Sequence, residues 1–256
     1  MHSELNPLQI NKSRKEFLLN TIDRSDSVQV WGLGTFGGNI ALIKFLCNKG
    51  KRIILFEQKP QKDLIDSWES LNEYHNSIDV YWSCDKPKIN HDKLLFITPA
   101  IRPNHPVLNN ISTDLISTEI ELSLIYLHQK KQLLHVIIGS VGKSTCASLL
   151  ASALGTKVYG NIGRSFLNDL TKLPNHCVAE ISSFQLHYLK KIALIPTSFL
   201  CTPIKDNHAN WHGNLKEYQD AKLKPLSYWK EQKSTGIDMN CDQLDTKNKL
   251  SLKLIG

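Results

Sequence analysis

The stretch 133–154 constrains the fold of this chain more than any other part of the sequence. An apolar run, Leu-Leu-His-Val-Ile-Ile, stops at Gly139, and Gly-Lys-Ser-Thr at 142–145 leads into a run rich in Ala, Ser and Leu. A buried strand, a glycine turn, a lysine, a hydroxyl and a helix in this order are typical of a loop that binds nucleotide phosphates. Backbone N–H groups at the helix N-terminus then face the phosphates, the lysine reaches the outer ones, and the hydroxyl holds Mg²⁺.

This loop is shorter than the usual pattern. A full GxxxxGK[ST] motif would have a glycine at position 137, where the chain has isoleucine. A glycine-rich strand-to-helix turn with an exposed lysine is the alternative interpretation. We favour phosphate binding, and the predicted nucleotide-binding residues are Gly139, Ser140, Val141, Gly142, Lys143, Ser144 and Thr145.

A second glycine motif lies near the N-terminus. The apolar segment 28–31 runs into Gly-Leu-Gly-Thr-Phe-Gly at 32–37, then into a helical pattern up to Gly50 and a second apolar segment at 52–56 that ends at Glu57. Strand, GxGxxG, helix, strand and acid are typical of a Rossmann-like unit that binds a nucleotide. The motif does not say which nucleotide, and glycines that only tighten the turn are the structural alternative.

Composition narrows the class of protein. The 256 residues are 41% hydrophobic and 21% charged, with a net charge of +7. The positive charge suits polyanionic ligands, but the lysines are scattered, so we predict no nucleic-acid partner. The six cysteines lie far apart and residues 1–6 do not resemble a signal peptide, while no apolar run approaches the ~20 residues of a membrane span. We therefore expect a cytoplasmic protein that is not in a membrane.

Alternating strand and helix patterns predict an α/β fold. We expect a Rossmann-like domain over 1–117, then an α/β domain of the phosphate-loop type over 118–256. Strands are predicted at 28–31, 52–56, 78–82, 93–97, 133–138, 157–159, 176–179 and 192–200, and helices at 14–23, 38–50, 62–75, 118–131, 146–154, 165–170 and 215–229.

Three strand ends carry polar residues. Thr-Pro-Ala-Ile follows the strand at 93–97, Glu180 ends the strand at 176–179, and 207–213 holds two histidines. An acid at a strand end downstream of a phosphate loop is placed to bind Mg²⁺. An isolated acid such as Glu180 would more often be a helix cap than a metal ligand. Because a phosphate loop precedes it, we favour the metal ligand.

These motifs together resemble the Mur ligases of peptidoglycan synthesis, in unbroken order over about 28–224. Gly-Ser-Val-Gly-Lys-Ser at 139–144 is similar to the family's shortened G-[ST]-N-G-K-[ST] loop, and Glu-Ile-Ser-Ser-Phe-Gln-Leu at 180–186 to its E-L-S-S-F-Q-L. The other matches are Gly-Asn-Ile-Gly at 160–163 (G-N-I-G), 207–213 (D-H-L-D-x-H-G), 218–222 (Y-x-x-A-K), 98–101 (S-P-G-I) and 118–122 (G-D-I-E-L).

The resemblance implies an ATP-dependent ligase that adds D-glutamate to UDP-N-acetylmuramoyl-L-alanine through an acyl phosphate, and acts as a cytoplasmic monomer. Lys143, His208 and Lys222 would be catalytic, with Lys222 carbamylated, and Ser144, Glu180, His208 and Lys222 would hold Mg²⁺. The residues implied to bind the UDP-sugar are Gly34, Thr35, Phe36, Gln58, Lys59, Ala100, Asn161, Ser182 and Gln185.

The chain departs from the family pattern in several places. Ile138 replaces threonine, Val141 and Asn207 replace asparagine and aspartate, and Ala100 replaces glycine. The resemblance also leads us to expect a truncated chain, in which the domain over 118–256 is incomplete and the family's third domain, which sets amino-acid specificity, is absent. Besides the ligase, two alternatives stay open: a remnant that binds UDP-sugar or ATP without catalysis, and an unrelated phosphate-loop NTPase with a Rossmann neighbour.

Overall fold

The computed structural model describes residues 7–33, 37–162, 164–205, 209–232 and 234–239. Its strands are β1 (Ser27–Trp31), β2 (Arg52–Phe56), β3 (Ile78–Tyr81), β4 (Leu95–Ile97), β5 (Ile116–Ser117), β6 (Leu133–Ile138), β7 (Val158–Gly160), β8 (His176–Glu180), β9 (Ser198–Cys201) and β10 (Thr235–Asp238). Its α-helices are α1 (Lys12–Arg24), α2 (Gly38–Asn48), α3 (Ile65–Glu69), α4 (Glu119–Gln129), α5 (Lys143–Ala153), α6 (Ser183–Tyr188), α7 (Ala209–His212) and α8 (Leu215–Glu231).

The described strands form two parallel five-stranded sheets, which confirms the predicted α/β class. The first sheet has the order β3-β2-β1-β4-β5 and the second β10-β9-β6-β8-β7. In each sheet a central strand followed by a glycine turn, β1 or β6, pairs in parallel with both neighbours. Because parallel strands share a direction, the loops after β1 and β6 open at the carboxyl edge of their sheets, where ligands bind in such folds.

Helix α4 joins the two units. Ile120 and Leu124 pack into the core of the second sheet with Val136 and Ala179, whereas Leu122 and Ile125 pack into the core of the first sheet. A helix that is apolar nearly all round is one that is buried on several sides. The predicted domain boundary near Ser117 stays a prediction, and the second unit also receives Leu8 in its core and pairs Gln9 with Ile195.

Three predicted elements differ from the structure, and one strand was not predicted. The helix predicted over 62–75 is wrong, because this segment forms short 3₁₀ turns at Gln61–Leu64 and Asn72–Ser77 around the five-residue α3. The helix over 165–170 is a 3₁₀ turn, Phe166–Asn168, and the strand over 192–200 is confined to β9. The sequence analysis did not predict β10. In the part of the chain that the structure describes, none of the helices combines the length and apolar character of a membrane span.

Candidate functional site

The turn between β6 and α5 is held against the end of β9. Gly139 has φ +124°, and a Cβ there would collide with the Oγ1 and carbonyl oxygen of Thr202. Ser140 Oγ lies 2.5 Å from Tyr218 Oη and accepts from Lys205 N at 3.0 Å. The sequence therefore places glycine where two backbone segments meet, and the loop is fixed before any ligand binds.

The N-terminus of α5 follows directly. Gly142 is the N-cap residue with φ +83°, and Lys143 is the first residue of the helix. The Nζ of Lys143 donates to Ser140 O at 3.2 Å, so its charge lies over the loop. Val141 is 59% exposed at the loop tip. Backbone N–H groups and a lysine charge converge here, an arrangement that suits an anion.

Glu180 connects the phosphate loop with the loop after β7. Its Oε2 accepts from Ser144 Oγ at 2.7 Å and its Oε1 accepts from Asn161 Nδ2 at 2.9 Å. The carboxylate is 1% exposed at the carboxyl end of β8. Carboxylate, hydroxyl and amide oxygens are ligands that Mg²⁺ accepts, usually through one or two protein groups with phosphates and waters completing the shell. Among the described residues no three His, Cys, Asp or Glu side chains form a metal cluster.

Lys222 is a buried lysine beside the loop. Its Nζ donates to Gly139 O at 2.8 Å and lies 4.8 Å from the ring centroid of Tyr218. Burial, and next the charge of Lys143, lower the pKa of Lys222 to about 8, while Cys201 and Glu180 act in the opposite direction. Near neutral pH a fraction of this amine is therefore uncharged and nucleophilic.

These groups border one cavity of about 360 Å³ between the two units. Of the predicted site residues, the cavity is lined by Gly139, Ser140, Lys143, Lys222, Ala100, Asn161, Ser182 and Gln185. Val141, Gly142 and Ser144 adjoin lining residues in sequence, and Glu180 is hydrogen-bonded to the lining residue Asn161, but these four and Thr145 are not part of the lining. Gln58 and Lys59 are exposed after β2 and do not line the cavity either. The predictions for Gly34, Thr35, Phe36 and His208 lie outside the described residues.

Ser182 and Gln185 form a reciprocal cap at the start of α6. Ser182 Oγ accepts from Gln185 N at 3.2 Å, while Gln185 Oε1 accepts from Ser182 N at 2.9 Å. This capping box satisfies two backbone donors and fixes both side chains. The two predicted sugar-channel residues are therefore held by each other at the cavity wall.

Glu57, the acid of the N-terminal glycine motif, is turned toward the protein backbone. Its carboxylate accepts from Leu33 N at 2.7 Å and from Lys59 N at 3.0 Å, and it is 6% exposed. Both oxygens thus bind N–H groups of the loops after β1 and β2. In the structure the Glu57 carboxylate therefore links the loop after β1 to the loop after β2.

Two polar residues of the cavity wall, Asn39 and Glu119, had no role predicted from the sequence. Asn39 Nδ2 donates to Gly32 O at 2.5 Å across the glycine turn. Glu119 accepts hydrogen bonds from the hydroxyls of Ser123 and Ser165, and burial raises its pKa, against the opposing effect of those hydroxyls. The motif at 118–122 was the only signal for Glu119, and nothing in the sequence indicated its burial.

Curated proteins share the sequence over most of this chain. UDP-N-acetylmuramoylalanine–D-glutamate ligase of Borreliella afzelii is 31% identical over 199 residues, 74% of this chain and 42% of the relative. The ligases of the same name from Clostridium tetani (29% over 226 residues, 85% and 46%) and Thermotoga maritima (30% over 200 residues, 75% and 45%) match similarly.

No protein-family model matches the chain. The chain spans less than half the length of the three curated ligases just named, while the matches cover 74–85% of its own residues. The motif order and the two-sheet α/β architecture agree with these matches. The chain is therefore a Mur ligase sequence, similar to the UDP-N-acetylmuramoylalanine–D-glutamate ligases and partial relative to the full-length ligases that it matches.

Proposed function

We propose that this chain provides the UDP-sugar and ATP sites of a ligase that joins D-glutamate to UDP-N-acetylmuramoyl-L-alanine in peptidoglycan synthesis. The observation that carries the proposal is the shared cavity. Lys143 and Lys222 line it together with Ala100 and Ser182. A cavity that contacts both sets of predicted residues suits a reaction that brings a nucleotide phosphate to a sugar-linked carboxylate.

Phosphate binding rests on the loop and α5. The backbone N–H groups at the start of α5 and the ammonium of Lys143 would hold the β- and γ-phosphates of ATP. Since phosphoryl transfer spreads negative charge over the transferred oxygens, a fixed positive charge at this position stabilises the transition state. Loss of the Lys143 charge should therefore reduce the rate of transfer.

The residues around Glu180 fit a magnesium ion. Ser144 Oγ and Glu180 Oε2, 2.7 Å apart, are hard oxygen donors next to the phosphate loop. Mg²⁺ bound there would neutralise phosphate charge during transfer. His208, which the resemblance assigns to a second ion, lies outside the described residues.

Lys222 suits carbamylation. Its amine must lose a proton before it can attack CO₂, and the lowered pKa of about 8 increases the uncharged fraction. The product would be a carbamate anion, R–NH–COO⁻, with release of one proton. The ammonium form of Lys222 would repel Mg²⁺, whereas a carbamate anion beside Gly139 would attract it.

The proposed reaction has two steps. A carboxylate oxygen of the L-alanine group attacks the γ-phosphorus of ATP, and the bond to ADP breaks to give an acyl phosphate. The amine nitrogen of D-glutamate then attacks the acyl carbon, phosphate leaves, and the amine proton passes to solvent. Cytoplasmic location and a monomeric state belong to the same proposal and rest on the family resemblance.

Product formation tests the proposal. The chain is incubated with ATP, Mg²⁺, bicarbonate, UDP-N-acetylmuramoyl-L-alanine and D-glutamate, and phosphate and dipeptide product are measured. We expect product from the wild type and from the exposed-lysine control Lys172→Ala, and none from Lys143→Ala. Equal product from Lys143→Ala and the control would contradict the proposed role of the loop.

A second candidate is a protein that binds UDP-sugar and ATP without ligation. Val141 favours it, since an exposed apolar side chain stands at the loop tip where the family pattern has asparagine. Calorimetric titration with ADP and with the UDP-sugar separates the two. Saturable binding of both ligands without product supports this candidate, and binding of neither ligand eliminates both functions.

A further inference from the structure

Two aromatic side chains of the second unit hold two consecutive carbonyls of the first. Trp211 Nε1 donates to Ala100 O at 2.8 Å, and Tyr188 Oη donates to Ile101 O at 2.6 Å. The acceptors lie in the loop that follows β4, and the donors lie in α7 and at the end of α6. We call Trp211 and Tyr188 the aromatic latch.

Packing keeps both donors in place. Tyr188 packs against the first-sheet cluster that includes Trp31, Ile97 and Ile101. Burial raises the pKa of Tyr188, so its hydroxyl stays protonated and can donate throughout the neutral range. The Trp211 ring lies 4.5 Å, centroid to centroid, from that of Phe184, a cavity-lining residue. The latch is thus continuous with the cavity wall.

Helix α6 carries contacts to both parts of the cavity wall. Ser182 and Gln185 line the cavity at its start, and Tyr188 at its end binds the loop whose Ala100 also lines the cavity. A six-residue helix fixes its two ends relative to one another because its backbone is rigid. The placement of Ala100 relative to Ser182 therefore depends on Tyr188, and Trp211 supports the same loop one residue earlier.

We propose that Trp211 and Tyr188 are positioning residues that hold the loop at Thr98–Ile101 in the geometry that binds the UDP-sugar. The inference rests on the proposed function for the identity of that ligand. Trp211 stands at the variable position of the motif at 207–213, and the sequence motifs predict no role for either residue. A latch that acts on the first unit's loop should affect the UDP-sugar and leave nucleotide binding at the phosphate loop unchanged.

The test uses Trp211→Phe and Tyr188→Phe in the full chain. Each change removes one hydrogen-bond donor and keeps an aromatic ring. We expect the Kd for UDP-N-acetylmuramoyl-L-alanine to rise roughly three- to tenfold in each variant, the range for one hydrogen bond. The Kd for ADP should stay within about twofold of the wild type, because the described side-chain hydrogen bonds of Lys143 and Glu180 go to Ser140, Ser144 and Asn161 and not to a latch residue.

Matched controls remove equivalent bonds elsewhere. Trp229 Nε1 donates to Leu194 O at 2.6 Å, away from the cavity, so Trp229→Phe removes an indole–carbonyl bond without touching the loop. Tyr74 Oη donates to Asn48 at 3.1 Å on the surface, so Tyr74→Phe is the phenol control. Neither control should change the Kd for the UDP-sugar.

Hydrogen exchange of the free chain tests the latch without any ligand. The amide of Ile101, which donates to Thr98 O at 3.0 Å, should exchange faster in both latch variants and at the wild-type rate in both controls. Unchanged exchange, or equal losses of UDP-sugar and ADP affinity, would overturn the positioning role. A different result would be faster exchange in the latch variants together with a wild-type chain that binds no UDP-sugar. The proposed function, and with it the positioning role, would then be wrong. The contact between the latch and the loop would still be supported.

Discussion

At the scale of single residues, Glu119 and Glu121 are two buried acids with opposite surroundings. Glu121 is paired with Arg14, whose Nε lies 2.6 Å from Glu121 Oε1, and it also accepts from Ser117 Oγ at 2.7 Å. The partners of Glu119 are the hydroxyls of Ser123 and Ser165. A buried carboxylate that has an arginine is stabilised as an anion, whereas one with hydroxyls alone keeps most of its desolvation penalty.

Glu119→Gln should stabilise the chain at pH 8. Burial raises the folded-state pKa of Glu119, so the unfolded state ionises first as the pH rises, and folding loses stability from the unfolded pKa up to the folded pKa. Glutamine removes this cost and keeps an acceptor for both hydroxyls. Urea unfolding at pH 5 and pH 8 measures the effect of the substitution on stability. The unfolding midpoint of Glu119→Gln should exceed that of the wild type at pH 8, and the difference between the two midpoints should be smaller at pH 5.

Glu121→Gln is the matched control, and we expect it to destabilise the chain. It removes the charge that Arg14 faces, and an unpaired buried guanidinium typically costs about 3–5 kcal/mol. If both substitutions stabilised the chain, or neither did, the surroundings of the two acids would not differ in how well they stabilise a carboxylate anion. The sequence predicted neither environment, because Arg14 lies 107 positions from Glu121 and only the fold brings them together.

At the scale of elements, the turn between β6 and α5 contains two glycines that have different space around the position of a Cβ atom. Gly139→Ala should cost at least about 2 kcal/mol of unfolding free energy, because φ is +124° and the new Cβ meets the backbone of Thr202. Gly142→Ala should cost about 1 kcal/mol, since φ is +83° but nothing lies within 4 Å. Urea unfolding of both variants checks the difference, and equal losses would show that the contact with Thr202 does not matter.

The elements also show where sequence patterns suffice. Interior strands such as β2 were predicted at their observed bounds, because a continuous apolar run between turns has few alternatives. The predicted helix over 62–75 is wrong for a tertiary reason: Trp68 stacks on His75 at 3.9 Å and packs edge-on against Trp82 at 5.4 Å, which fits a folded-back turn. Strand β10 was missed because Thr-Gly-Ile-Asp has no strand pattern of its own and exists by pairing with β9.

At the scale of the whole molecule, the cavity joins residues from Gly38 to Lys222. The family motifs named many of its residues, since all of the motifs except the one at 218–222 in α8 follow a strand of a parallel sheet, and such strand ends converge. They could not reveal the contacts of the latch or the burial of Glu119, because these depend on how the first unit packs against the second. The predictions for His208 and for 34–36 lie outside the described residues and stay predictions.

The two sheets should unfold as one unit, because neighbouring residues of α4 serve different cores. Leu124 packs into the second-sheet cluster and Ile125 into the first, and both are fully buried. Leu124→Ala and Ile125→Ala should each cost about 2–5 kcal/mol. If the sheets are coupled through α4, both substitutions should shift one common transition, seen equally by far-UV circular dichroism and tryptophan fluorescence. Two separate transitions, with each substitution moving only one, would show that α4 belongs to two independent domains.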